Sequence, residues 1–272
     1  MTDNKIITDR EEMLEAVKTW GWALQDASES LKADREVVLA AVKNAGRALE
    51  YADDSLKADR EVVLEAARNG GGLEYADDSL KADREVVLEA VKKNGWALQD
   101  ASESLKADRE VVLEAVRNHG SAIENADDSL KAYRELLIEG LKTTTDVFDF
   151  FDASFRSDRE LILGAVQNSP WGLYHADNTL KADRDVVLAA VKNEGRALQF
   201  ADESLRSDRE VVLEAVKTDE GLEGEEALMF ADESLQADRE VVLAAVKQCP
   251  WVLEFASEEL QNDPELKKLA ED

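Results

Sequence analysis

Most of the reactive chemistry in this 272-residue chain is carboxylate. Sixty-one Asp and Glu stand against 33 Lys and Arg, with two His and a single Cys. Such a set opens three kinds of chemistry: acid–base catalysis by paired carboxylates, cation ligation, and zinc binding through His and Cys. Each needs its residues at a particular spacing. His119, His175 and Cys249 are too far apart in sequence to read as a zinc motif. A Ca²⁺ loop needs D-x-[DN]-x-[DN]-G and a distal Glu. The most acidic stretch, TDEGLEGEE at Thr218–Glu226, lacks that register and reads as a solvated flexible loop. No glycine-rich phosphate loop, G-x-S-x-G elbow or H-E-x-x-H helix occurs. Gly70–Gly72 follows a helical stretch and reads as a shortened turn. The expectation is therefore no catalytic residue, no metal, no cofactor and no enzymatic activity.

Charge and composition bound the partners. The formal net charge is −28 and the pI is near 4.4. That balance argues against phosphate backbones and anionic membrane surfaces, so no nucleic-acid partner is expected. The hydrophobic fraction of 44% is too high for a disordered acidic tail. No run of about 18 apolar residues exists, so no direct membrane insertion is expected. The start, MTDNKIITDREE, has no apolar stretch of the signal-peptide kind. A lone Cys249 fits a reducing, intracellular compartment.

The elements that carry these residues repeat. LKADREVVL begins at Leu31, Leu56, Leu80 and Leu105, with variants at Leu180, Leu205 and Leu235. Aligned on Asp-Arg, the chain divides into ten repeats between a leader, 1–8, and a terminal fragment, 263–272. The repeats are 9–33, 34–58, 59–82, 83–107, 108–132, 133–157, 158–182, 183–207, 208–237 and 238–262. Positions within a repeat are numbered from the Asp. In the fourth repeat, Asp83 is a natural N-cap and Arg84–Lys93 read as one helix. Val86, Val87, Leu88, Ala90 and Val91 form its wide apolar arc. Gly95 suits a left-handed stop, and Trp96–Lys106 read as a second helix with Ala97, Leu98, Ala101 and Leu105 inward. Two short helices cannot bury these faces alone, whereas stacked copies can. The expected fold is an all-α, right-handed-type α-solenoid of ten two-helix repeats in one domain.

Position 2 is always arginine: Arg10, Arg35, Arg60, Arg84, Arg109, Arg134, Arg159, Arg184, Arg209 and Arg239. Its angle falls inside the apolar arc, so the sequence predicts an inward structural ladder with an acid or backbone partner. The nominated acid is position 20, always Asp or Ser; the same residue could instead cap a break that splits the second helix. An inward ladder makes Arg109→Ala costlier than Lys106→Ala.

Positions 14, 18 and 21, on one side of the second helix away from its stripe, vary most beside this rigid pattern, the first two above all. Those two hold Trp22, Arg47, Tyr51, Tyr75, Trp96, Phe150, Trp171, His175, Arg196, Phe200, Phe230, Trp251 and Phe255. One reading is that these rings cover the joints between repeats. The other is that they recognise a protein partner, since aromatics and Arg dominate such surfaces. In the sixth repeat Tyr133 replaces the capping Asp, and Phe148, Phe151 and Phe155 stand where smaller or aliphatic residues are usual. Gly140 there reads as room for a larger ring. Pro170 and Pro250 each precede a Trp and read as turn-fixing residues in place of Gly.

The segment DREVVLEAVKKNGWALQDASESLKAD (Asp83–Asp108) resembles an uncharacterised family of tandem helical repeats, a domain of unknown function with the pattern D-[RK]-E-[VI]-V-L-x-A-V-x-x-[ND]-G-x-A-L-x-x-A-S-x-x-L-[KR]-x-D. The likeness spans roughly residues 9–263 and departs in the sixth repeat and at the insertion of the ninth. It implies the repeat fold and an intracellular setting, and assigns no residue a role. Each consensus repeat is net acidic, so a basic or aromatic-accepting protein surface is the expected partner. The functional expectation is a scaffold or adaptor that binds a protein through the variable face. Its alternatives are a stoichiometric structural subunit of a large, possibly membrane-associated complex, or an acidic cation-binding protein.

Overall fold

The structure, a computed structural model, describes residues 6–169, 171–218 and 226–271. It is an all-α array of tandem repeats, a helical solenoid. Contacts divide the chain into two compact units, Met1–Phe150 and Phe151–Asp272. The division falls within the sixth repeat.

In the first unit the fourth repeat shows how the local structure arises. The α-helix Arg84–Lys93 begins at Asp83, whose carboxylate accepts the N–H groups of Glu85 and Val86. These are two of the first-turn donors that no intrahelical carbonyl can reach. Val86, Val87, Ala90 and Val91 are fully or nearly buried, and Leu88 at the edge of the arc is half-buried. Each buried valine contributes roughly 1.5–3 kcal/mol. The same helix recurs with the same cap at Arg35–Asn44, Arg60–Arg68 and Arg109–Asn118. Ile7 donates its N–H to Asp26 O and accepts from Ser28 N–H.

The second half of the repeat departs from the expected single helix. Gly95–Asp100 is a 3₁₀-helix, Ala101 is extended, and Glu103–Lys106 is one short α-turn. The break sits beside position 20, as the capping alternative expects. Asp53 shows the chemistry: its carboxylate accepts from both the N–H and the hydroxyl of Ser55, which starts a new helical turn and ends the old one. The tighter 3₁₀ winding brings Ala97 and Leu98 inward, with Ala101 and Leu105 completing the layer.

The glycine that opens this element is not a left-handed stop. Among the described residues, positive φ occurs only at Gly70 and Gly72. Gly95 is glycine because the next repeat lies against it: a Cβ there would stand 2.4 Å from the Ala115 carbonyl oxygen. The residue is selected for close approach of two backbones.

The second unit is built in the same way. The helices Arg184–Asn193, Arg209–Lys217 and Arg239–Gln248 are capped by Asp183, Asp208 and Asp238. Pro250 opens the 3₁₀-helix Pro250–Phe255, where its fixed φ suits the first position, as expected. Pro170 and most of the acidic insertion, residues 219–225, lie outside the described residues. A final helix, Pro264–Glu271, is capped by Asp263 and buries Leu266.

In the sixth repeat the space at Gly140 goes to an aliphatic side chain, not to a phenyl ring. A Cβ there would stand 2.9 Å from Val147 Cγ1. Phe148 and Phe151 are buried, while Phe155 is half-buried with its ring edge-on to Phe151 at 6.3 Å.

Candidate functional site

Three sets of bonds join consecutive repeats, and together they form the frame on which any site is displayed. The first is the arginine ladder. Arg84 Nε donates to Asp108 Oδ2 at 2.8 Å, and its Nη2 donates to Glu110. The same pattern joins Arg35 to Asp59 and Glu61, and Arg60 to Asp83 and Glu85. In the second unit it joins Arg159 to Asp183 and Asp185, Arg184 to Asp208 and Glu210, and Arg239 to Asp263 and Glu265. Arg209 keeps the pattern with Asp238 and Glu240 across the five extra residues of the ninth repeat.

The ladder exists, but two expectations about it are corrected. The acid partner is the capping Asp of the following repeat, not position 20. The arginines also lie outside: Arg84 is 43% exposed and Arg109 55%, whereas Lys106 is only 20% exposed. A helical arc places position 2 near the apolar face, yet a long side chain at the first turn can run along the surface to the next repeat.

One consequence is electrostatic. Arg84 holds the Asp108 carboxyl below the ordinary carboxylate range, against a raising effect of burial and with help from the Val111 and Glu110 N–H groups. Asp34, Asp59, Asp83, Asp183 and Asp238 are lowered first by their own arginines. The arginines shift upward for the same reason.

The second set is a backbone ladder that sequence reading missed. The N–H at position 20 donates to the carbonyl at position 24 of the preceding repeat: Asp53 to Lys32, Asp77 to Lys57, Ser102 to Lys81 and Asp127 to Lys106, at 2.9–3.0 Å. Asp177, Asp202, Asp232 and Ser257 continue it in the second unit. The third set is a clasp at position 11. Asn118 Oδ1 accepts the Gly95 N–H at 2.8 Å while its Nδ2 donates to Lys92 O at 3.1 Å. Asn44 does the same for Gly21 and Lys18. Asn or Thr recurring at position 11 was the available signal.

On this frame the variable residues fall into two groups. Most lie in the joints. The Trp22 ring meets Tyr51 edge-on at 6.2 Å, Arg47 Nη2 donates to Tyr75 Oη at 3.4 Å, and Trp96 packs on His119 at 5.0 Å. A position-14 side chain thus covers the position-18 residue of the next repeat, except that Trp96 finds His119 instead. Trp22, Tyr51, Tyr75, Trp96, Phe150, Arg196, Phe200, Phe230 and Phe255 are half-buried, and His175 is buried. Arg196 pairs with Glu194 of its own repeat.

The other group is exposed. Trp171 is 43% exposed and Trp251 49%. Trp251 Nε1 donates to Glu226 Oε1 at 2.8 Å, which fixes its ring. Trp171 stands in a cluster: its ring centroid is 5.2 Å from Phe200 and 5.8 Å from Tyr174, and Tyr174 is 5.4 Å from Phe200. Tyr174, absent from the sequence-derived set, is 50% exposed. Behind it lie His175 at 5.0 Å and the Lys181 ammonium 5.7 Å from the ring centroid. Among the described residues no group of three or more His, Cys, Asp or Glu is arranged to hold a metal ion. Nor is any described helix long and apolar enough to cross a membrane.

The family model described as a domain of unknown function, DUF4116, matches the chain at residues 9–57, 34–81, 59–106, 83–131, 133–181, 183–236 and 221–261. The chain belongs to this family. Most DUF4116 matches begin at the residue that occupies the capping position and run through two repeats. Each such unit therefore encloses the step between repeats; the match over 83–131 contains the Arg84–Asp108 rung and the Asn118 clasp. The DUF4116 match over 133–181 begins at Tyr133, the departure from the capping Asp. No curated protein and no solved structure matches the chain.

Proposed function

We propose that this protein is a non-enzymatic scaffold that binds another protein, and that the Trp171–Tyr174–Phe200 cluster is its principal contact. The observation that carries this reading is that Trp171, although it covers Phe200 across a joint as Trp22 covers Tyr51, stays 43% exposed and packs edge-on against a second exposed ring, Tyr174. A ring buried in a joint already has its packing partner. An exposed, preordered pair has apolar area still to bury and loses little side-chain entropy on binding. Phe200 and Lys181 hold the Tyr174 ring in place.

The partner that suits this surface is basic. The chain carries a net charge of −28, and indole and phenol faces attract guanidinium and ammonium groups. Two exposed rings on a chain of net charge −28 favour an Arg- or Lys-bearing protein segment over nucleic acid.

The test is co-purification with the intact chain and with Trp171→Ala/Tyr174→Ala, compared with Trp22→Ala, which alters a joint. The expected result is a stoichiometric partner lost by about tenfold or more in the double variant, at unchanged helical circular dichroism. A partner set identical in both variants overturns the reading.

A further inference from the structure

The second, third and fourth repeats line a partly open cavity of about 230 Å³, with Arg47, Gly70, Gly71, Glu74, Asn94, Gln99 and Asp100 among its walls. Its origin is a deletion. The third repeat has 24 residues where its neighbours have 25, and glycines occupy the turn. It consequently lacks a position-14 side chain. At three joints that side chain covers position 18 of the following repeat: Trp22 covers Tyr51, Arg47 reaches Tyr75 and Trp171 covers Phe200. Here position 18 of the following repeat is Asp100, and nothing from position 14 stands over it. The position-11 clasp is missing as well, because Lys93 stands where Asn118 and Asn44 stand elsewhere.

The charges around the cavity are uneven. Arg47 Nε is 3.0 Å from Glu74 Oε1, so these two largely cancel. Asp100 is half-buried, hydrogen-bonded by the Gln99 side chain, and no ion pair reaches it among the described residues. Burial and, to a lesser degree, the Glu74 carboxylate push its carboxyl above the ordinary range, against the Gln99 hydrogen bond and the charges of Lys81 and Lys106. Both lysines already pair within their own helical turns, with Asp78 and Glu103. What remains in the cavity is one carboxylate without a cation, in a space left by a missing side chain.

We infer that this cavity binds a small organic cation, a guanidinium or ammonium group on a short alkyl chain, whose charged end pairs with Asp100. Such a group restores the cover that Arg and Trp supply at other joints. The volume is suitable: a cavity of about 150 Å³ already holds a benzene ring. The Asn94 and Gln99 side chains line the wall with further hydrogen-bonding groups. A charged donor meeting a half-buried carboxylate makes the stronger kind of hydrogen bond. The site is separate from the aromatic cluster, and either can fail without the other.

The shared chemistry has two sources, a free cation or an arginine side chain of a bound peptide, and the experiment separates them. ¹⁵N-labelled full chain is titrated with n-butylguanidinium and, independently, with a capped Gly-Arg-Gly peptide, following the backbone amides of Gly70–Gly72 and the side-chain amides of Asn94 and Gln99. Saturable shifts confined to these groups are expected with at least one probe, and the probe that saturates first identifies the source. Asp100→Asn weakens binding by about tenfold or more, while Glu50→Gln, an equal change of charge at an exposed position, leaves it within about twofold. Absence of saturation by about 50 mM with both probes overturns the inference. So does equal weakening by Asp100→Asn and Glu50→Gln. Resonances outside the cavity report whether each variant remains folded.

Discussion

The guanidinium of Arg109 lies 5.7 Å from the centre of the Tyr133 ring, at the one described step of the arginine ladder where the capping aspartate is replaced. Arg109 keeps its bond to Glu135, the equivalent of Glu110 one repeat earlier, and stacks where its neighbours pair. Tyr133 retains an extended capping backbone but makes no side-chain cap.

This arrangement makes Tyr133→Asp a stabilising change. An Asp at an N-cap contributes about 1 kcal/mol through the first-turn N–H groups, and an exposed pair with Arg109 adds about 0.2–1 kcal/mol. The stacking lost is worth about 0.5–1 kcal/mol at an exposed site. A rise of about 1 kcal/mol in unfolding free energy is expected from urea denaturation; a fall would contradict the capping account.

Two glycines should respond oppositely to alanine. At Gly95 a methyl group would stand 2.4 Å from the Ala115 carbonyl oxygen, and backbone cannot swing away, so Gly95→Ala costs about 1–3 kcal/mol. At Gly164, inside the helix Arg159–Asn168, an added Cβ meets nothing within 4 Å. Gly164→Ala gains about 0.5–1 kcal/mol from helix propensity alone. Thermal melts of the two variants check the pair, and the signs matter more than the sizes.

The position-11 clasp gives another contrast. Asn118→Ala leaves the Gly95 N–H without its acceptor in a partly buried joint, costing about 1–3 kcal/mol. Among the described residues the Asn69 side-chain amide bonds within its own helix, to the carbonyl and carboxylate of Glu65, so Asn69→Ala falls within about 0.5 kcal/mol. Amide hydrogen exchange at Gly95 should accelerate in the first variant and stay unchanged in the second.

Acid should weaken the array. Asp34, Asp59, Asp83, Asp108, Asp183 and Asp238 have folded-state pKa values below the unfolded value, chiefly through their arginines. The unfolded chain therefore binds protons first as pH falls. The stabilisation is fully present above the unfolded carboxylate range and is lost as pH drops through the folded values. Asp100, shifted upward, acts in the opposite sense. Unfolding free energy measured by urea should be level between about pH 7 and 5 and decline below about pH 4. Because the pairs are exposed, salt should flatten that decline. Stability that rises on acidification would remove the ladder's electrostatic role.

Much of the repeat was legible from residue order. Asp83 before an apolar arc at i, i+1, i+4 spacing marked the start of Arg84–Lys93, and the helix begins there. The second half was harder to read. Alanine and leucine spacing in Trp96–Lys106 suits a single helix, and the break at Ser102, which itself makes no side-chain cap, is visible only if Asp-x-Ser, as in Asp53–Ser55 of the second repeat, is weighed as a new start. For the candidate interaction surface, sequence marked Trp171 and Phe200 as variable aromatics but passed over Tyr174 at position 17, which is Gln, Glu or Asp in every repeat but the seventh and ninth.

Period, first helix, its cap and its buried valines were decided by local order, because capping and amphipathicity act over one or two turns. The partner of each arginine was decided only by stacking. A helical wheel treats Arg84 as part of an isolated cylinder and points it toward the apolar arc. Stacking translates each repeat onto the next, which sets Asp108, 24 residues away, within hydrogen-bond reach of Arg84. The same translation decides that Gly95 must lack a side chain and that Asp100 lacks a cover, since both depend on what the neighbouring repeat places against them.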